Sequence, residues 1–150
     1  MKITHTMLVM FVGSFLIQYF LMPPIMVSNR LYITNHLGKV YMSVIMGILM
    51  VLLEVMMHDH QYKVMSLKLY LLLGVCLAVF IYLYRKQKYI DDKQYLEGMI
   101  EHHSMGIFTS EEILKKTDNY DVAKLAKNIV QTQQDEIRIM RELLNKTKAR

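Results

Sequence analysis

Residues 7–27 read MLVMFVGSFLIQYFLMPPIMV, a run of 21 residues without a charge. Only Gly13, Ser14 and Gln18 interrupt its apolar character. A bilayer core of ~30 Å is crossed by about 20 helical residues, so the run is long enough to span it. Val40–Met57 follows with one charge, Glu54, near its end. Leu69–Tyr84 is also uncharged, and Val64 to Leu67 can extend it backwards. Its tyrosines Tyr70, Tyr82 and Tyr84 fall where interfacial belts are expected. Three nearly charge-free helices within 85 residues ill suit a soluble bundle. A cleaved leader is disfavoured as well, since no Ala precedes Ala78 to form a small-residue cleavage site, so the run reads as a retained span whose helix ends at Pro23-Pro24. The expectation is an all-α chain with transmembrane helices at about 7–27, 40–57 and 66–84. These make a membrane domain of residues 1–88, and residues 89–150 form a second domain. The small pairs Ser43/Gly47 and Gly74/Ala78 mark places where helices can approach closely in lipid.

Charge supports the division. The chain has 150 residues, 53% of them hydrophobic, with a net charge of +5. Residues 1–90 hold eight Lys or Arg against Glu54 and Asp59, whereas residues 91–150 hold ten against eleven acids. The excess positive charge therefore lies in loops of the apolar half, which argues against a nucleic-acid-binding face. One cysteine, Cys76, excludes an intramolecular disulfide. With three spans the termini lie on opposite sides of the bilayer. Arg30, Lys39, Arg85, Lys86, Lys88 and Lys93 share the side of the C-terminal domain, against Lys2, Lys63 and Lys68 on the other. The positive-inside rule then places that domain in the cytoplasm.

The polar half reads as two helices. Residues 91–116 open on Asp91 with Gln94 three positions on, a capping-box-like start. Leu96, Met99, His103, Ile107, Ser110 and Leu114 recur at helical spacing. Residues 119–146 form the second helix, which Asp118 can cap. Its stripe is Val122, Ala126, Ile129, Gln133, Ile137, Met140 and Leu144. The short connection predicts an antiparallel hairpin. A turn centred near residue 118 sets His103 against Gln133, Met99 against Ile137 and Leu96 against Met140. A hairpin of this size buries its stripe poorly alone, so the expectation is self-association through residues 91–146 into a four-helix bundle.

In that register the polar members of both stripes meet. Met99, His102, His103, Gln133, Glu136 and Met140 converge as a candidate metal site. Imidazole and thioether donors suit soft ions such as Cu(I) or Ag(I), with Gln133 or Glu136 orienting an imidazole. The competing reading makes His103 a core histidine that fixes register and the two methionines ordinary filler. A second row, Met42, Met46, Met50, Glu54 and His58, advances by four residues along the second span, with His60 at its end. It reads as a ladder along which a soft ion can pass, or as lipid-facing methionines above an interfacial loop. An ionisable Glu54 inside a span calls for a partner or cavity. No P-loop, G-x-G-x-x-G, H-E-x-x-H or C-x-x-C occurs. Glu101 directly precedes His102, so the Glu-x-x-His spacing of di-iron bundles is missing. The expectation is a binding protein, not an enzyme.

The stretch Asp91 to Ile107, carrying Met99-Ile100-Glu101-His102-His103, resembles the M-I-x-H-H motif of the domain-of-unknown-function-305 family. Ala126 to Met140, with Gln133, Glu136 and Ile137, resembles that family's A-x-x-I-x-x-x-Q-x-x-E-I-x-x-M signature. The three preceding spans look like its membrane-anchored branch. The resemblance implies a ferritin-like four-helix bundle, often built from two hairpins, and copper or silver handling in bacterial envelopes. It carries over Met99, His102, His103, Gln133, Glu136 and Met140 as the site. Glu101 departs from the family, where proline is common. The family's soluble members face the envelope, opposite to the charge rule.

The leading expectation is thus a multi-pass protein of a bacterial-type plasma membrane. It binds Cu(I) for sequestration or for hand-over to a metal-handling partner. Two alternatives stand beside it: a membrane-anchored oligomerisation module without metal, and a small channel or transporter subunit built around Glu54.

Overall fold

The structure is a computed structural model and describes residues 3–148. Among these residues every regular element is helical. The order is α1 (Ile3–Leu16), a π-turn (Ile17–Leu21), α2 (Met22–Met26), a 3₁₀ turn (Arg30–Tyr32), α3 (Leu37–Tyr62), α4 (Leu67–Arg85), α5 (Asp92–Leu114) and α6 (Tyr120–Lys148). Three helical stretches are long and apolar enough to cross a membrane: Ile3–Met26, Leu37–Tyr62 and Leu67–Arg85. The chain forms two compact units. The first runs to Leu21 and resumes over Leu37–Tyr89. The second joins Met22–His36 to the chain from Ile90 onward.

In the first unit α3 packs against both α1 and α4. Its inward face carries Ser43, Gly47, Ile48, Val51 and Val55, all buried. Gly47 permits the approach of α1, because a Cβ there would sit 2.8 Å from the Phe11 ring. The second small pair is not used in this way. Gly74 has nothing within 4 Å of an added Cβ, and Ala78 is exposed. The outward faces stay apolar: Leu8, Val9, Leu71, Leu72 and Val75 are each between 59% and 65% exposed. Lys39 is buried with its ammonium 5.1 Å from the Tyr19 ring centre.

Pro23 and Pro24 do not end the first helix as expected; they lie inside α2. Proline lacks an N–H and crowds the carbonyl four residues back. Those carbonyls belong to Tyr19 and Phe20, and both lie in the π-turn, whose wider hydrogen-bond spacing relieves such crowding. Two further helix ends close on left-handed residues. Val64 N–H donates to the Asp59 carbonyl across Lys63 (φ 49°), and Lys88 N–H donates to Leu83 across Gln87 (φ 48°). Both match the Schellman pattern of helix termination.

In the second unit α5 and α6 pack as an antiparallel pair around Ile100, Ile107, Ile137 and Met140, with Leu96, Met99, Val130, Leu144 and Tyr32 against that core. Asp91 caps α5 as expected, its carboxylate accepting from Gln94 N–H at 2.8 Å. The cap of α6 is Asn119, not Asp118. The Asn119 Oδ1 accepts from the N–H groups of Asp121 and Val122, and an amide oxygen serves a cap as well as a carboxylate does. Met22–His36, which the sequence reading left in the membrane domain, folds against α5 here. Ser28 N–H donates to the Ser104 carbonyl (3.1 Å) and to its Oγ (3.0 Å).

Replacing Gly47 with leucine is expected to separate α1 from α3. The Phe11 ring and backbone oxygen leave no room for it, and overpacking of this kind costs about 1–3 kcal/mol. A lower unfolding temperature of the detergent-solubilised chain, with no such loss for Gly74→Leu, is the outcome to look for.

Candidate functional site

His103 sits near the middle of α5 with its side chain 12% exposed. Its Nδ1 lies 2.7 Å from the Met99 carbonyl oxygen one turn back. A carbonyl only accepts, so Nδ1 carries a hydrogen and donates it. That bond fixes the ring and turns Nε2 across the hairpin, where it meets Glu136 Oε2 on α6 at 2.8 Å. Two acceptors at that distance need a proton between them, held on one partner or the other. The Glu136 side chain is 49% exposed and reaches water.

The register differs from the expected one by three residues. His103 meets Glu136 rather than Gln133, and Gln133 lies one turn further on, against Gly106. A Cβ at Gly106 would stand 2.3 Å from Gln133 Oε1. The missing side chain is thus the cradle that holds the Gln133 amide. The Gln133 oxygen is buried there with no hydrogen-bond partner among the described residues. Of the two ring nitrogens, Nδ1 donates to the Met99 backbone oxygen, and Nε2 faces Glu136, one of the two groups expected to orient the imidazole.

The remaining candidates are distributed as follows. Met140 is buried in the hairpin core, and Met99 packs against that core. His102 is exposed, its ring 6.0 Å from that of His103 in an edge-to-face pose. Among the described residues no three His, Cys, Asp or Glu side chains come together in a way that could hold a metal ion. Beyond His103 the sequence reading offers only the thioethers of Met99 and Met140, donors suited to soft metals. On α3, Met42 and Met46 are exposed, Met50, Glu54 and His58 are half-buried, and His60 is exposed. His58 Nδ1 lies 3.2 Å from Asp59 Oδ1, and its ring lies tilted at 40° against that of Tyr62, with centroids 4.7 Å apart. Asp59 also accepts from the Ser66 N–H and hydroxyl, which ties the end of α3 to the start of α4.

Sequence periodicity missed a second buried side of α5. Glu101 and Ser104 are 4% and 0% exposed. The Glu101 carboxyl oxygen Oε2 accepts from Thr34 N–H at 2.9 Å, and the Thr34 hydroxyl donates to the Glu97 carbonyl at 2.8 Å. Ser28 and Ser104 hydroxyls are 3.0 Å apart. The His36 ring lies over Gly98, 3.1 Å from where a Cβ would stand. The signal for this side was the row Gly98, Glu101, Ser104 at helical spacing, which reads as polar until the segment that covers it is known.

Residues 84–144 match the family described as Domain of unknown function (DUF305). An uncharacterized protein, L153, of Acanthamoeba polyphaga mimivirus is 33% identical over 142 residues, covering 94% of this chain and 92% of that protein. No solved structure matches the chain.

Two substitutions probe this geometry in opposite directions. Glu101→Ala strands the Thr34 N–H and is expected to cost about 1–3 kcal/mol, with faster hydrogen exchange at Thr34. Gly106→Ala evicts the end of a flexible side chain, while alanine favours the helix by roughly 0.5–1 kcal/mol. Its unfolding temperature is therefore expected to hold or rise.

Proposed function

The chain belongs to the DUF305 family, and on that premise we propose that it is a membrane-anchored protein that binds a soft monovalent ion, Cu(I) or Ag(I), through its C-terminal hairpin. The observation that carries the reading is the fixed His103 ring. A metal-ligating histidine characteristically donates its other N–H to a backbone carbonyl or carboxylate. Here the Met99 carbonyl takes that part, and Nε2 is the atom presented. Met99 and Met140 supply the neighbouring thioethers. Glu136 guards Nε2: its contact is too short to admit an ion, so binding requires that carboxylate to swing outward and the shared proton to leave. Its exposure permits that movement. No nucleophile is part of this set, and the role is sequestration or hand-over to a partner protein.

Three apolar helices support anchoring in a bilayer, since their outward faces suit lipid better than water. Three crossings put the loop between the first two spans on the same side as the hairpin, and that loop does dock on α5. The basic residues flanking it and following the third span argue for the cytoplasmic side.

A second reading, a structural module without metal, draws on the closed His103–Glu136 pair. The two part on one measurement. Anaerobic competition titration of the full detergent-solubilised chain with Cu(I) is expected to give saturable binding that weakens at least tenfold, about 1.4 kcal/mol, in Met99→Ala/His103→Ala. Met42→Leu/Met46→Leu should leave it unchanged. Equal copper uptake by wild type and the Met99/His103 variant would leave the structural module standing and remove the metal.

A further inference from the structure

The segment that folds against the hairpin leaves a cleft beside α6. Tyr32 forms one wall of it. The other wall is Gln134, Arg138, Arg141 and Asn145, spaced by four, three and four residues along one face of the helix. Ile137, 2% exposed, lies at the base. The cleft measures about 270 Å³, and the Arg138 side chain is 67% exposed, so it opens to water. The two guanidiniums that share it are held differently. Arg138 is braced on either side by Asp135 (3.3 Å) and Glu142 (3.8 Å). Arg141 has Ile137, Arg138, Leu144 and Asn145 three and four positions away, so its own helix offers it no carboxylate at those spacings. Its guanidinium instead lies 5.8 Å from the centre of the Tyr32 ring, a contact that positions a cation without neutralising it. Like charges three residues apart repel each other, and an anion received between them removes that repulsion.

We propose that this cleft binds a phosphate group. A carboxylate has two oxygens and is satisfied by one guanidinium fork. A phosphate monoester presents three acceptor oxygens, enough to accept from both arginines and from a side-chain amide of Gln134 or Asn145. The volume leaves space beside the phosphate for the group that carries it, against the Tyr32 ring. Glu142, also on the lining, is engaged by Arg138 and leaves the Arg141 charge uncompensated. The phosphate has two possible sources, a soluble phosphate compound and a lipid headgroup. Tyr32 stands five residues before Leu37, where a helix long and apolar enough to cross a membrane begins. No residue of the proposed soft-metal site takes part, so the two proposals stand or fall separately.

Arginine labelling with phenylglyoxal, read peptide by peptide by mass spectrometry on the full chain in a maltoside detergent, tests the cleft. Inorganic phosphate at about four times its half-protecting concentration is expected to slow modification of Arg138 and Arg141 about fivefold. Arg85, which lies outside the cleft, should react as before, and acetate at equal ionic strength should protect neither arginine. Arg141→Lys keeps the charge and loses the fork, so the phosphate concentration that half-protects Arg138 should rise about tenfold. Nanodiscs without free phosphate separate the sources. Protection of Arg138 when phosphatidic acid replaces part of the phosphatidylcholine, greater in wild type than in Arg141→Lys, assigns a lipid headgroup. Protection by inorganic phosphate alone assigns a soluble compound. No protection in either arm, equal protection of Arg85 by inorganic phosphate, equal protection by acetate, or protection of Arg138 undiminished in Arg141→Lys overturns the proposal.

Discussion

A carboxyl group withdrawn from water must find hydrogen-bond partners or cost the protein several kcal/mol. Glu101 is 4% exposed, and its partner is Thr34, 67 residues earlier. Much of the second unit depends on that constraint. Glu101, Ser104 and Gly98 form one side of α5, and the segment Ser28–His36 lies along it. With that side taken, His103 is left on the side that meets α6. Glu101 thus has a structural task, holding a loop against the helix that bears the histidine pair.

The candidate site follows from the same helix. Nδ1 of His103 is committed to the Met99 carbonyl, so Nε2 alone is offered outward. Glu136 takes it. In the proposed site one imidazole and two thioethers would make a spare donor set, without the several carboxylates that hold harder ions. The same arrangement leaves half of Glu136 in water, so in that proposal the group that closes the site is also the group best able to open it.

Much of this was legible from residue spacing. The uncharged runs located the long apolar helices to within a few residues at each end, and Asp91 marked the start of α5. Ser43/Gly47 marked a true close approach, with Phe11 pressed against Gly47. Gly74/Ala78 looked equivalent and is not, because the pattern specifies only that an approach is possible, not that another helix is there. The cap at Asn119 and the helix that continues through Pro23-Pro24 escaped for a related reason. Neighbouring residues offered equal local chemistry, and the π-turn that relieves the prolines has no sequence signature of its own.

The sequence by itself determined the helical class, the division between an apolar and a polar half, and the residue types from which a metal site can be built. These depend on periodicity and composition, which act over a few residues and survive an error in register. Tertiary structure alone decided that His103 meets Glu136 while Gln133 settles against Gly106, that Met22–His36 joins the hairpin, and that Glu101 and Ser104 are interior. The reason is geometric. A register shift of three residues keeps the same apolar stripes in contact while changing every polar partner. Which side of a polar helix is buried depends on a segment far away in the chain.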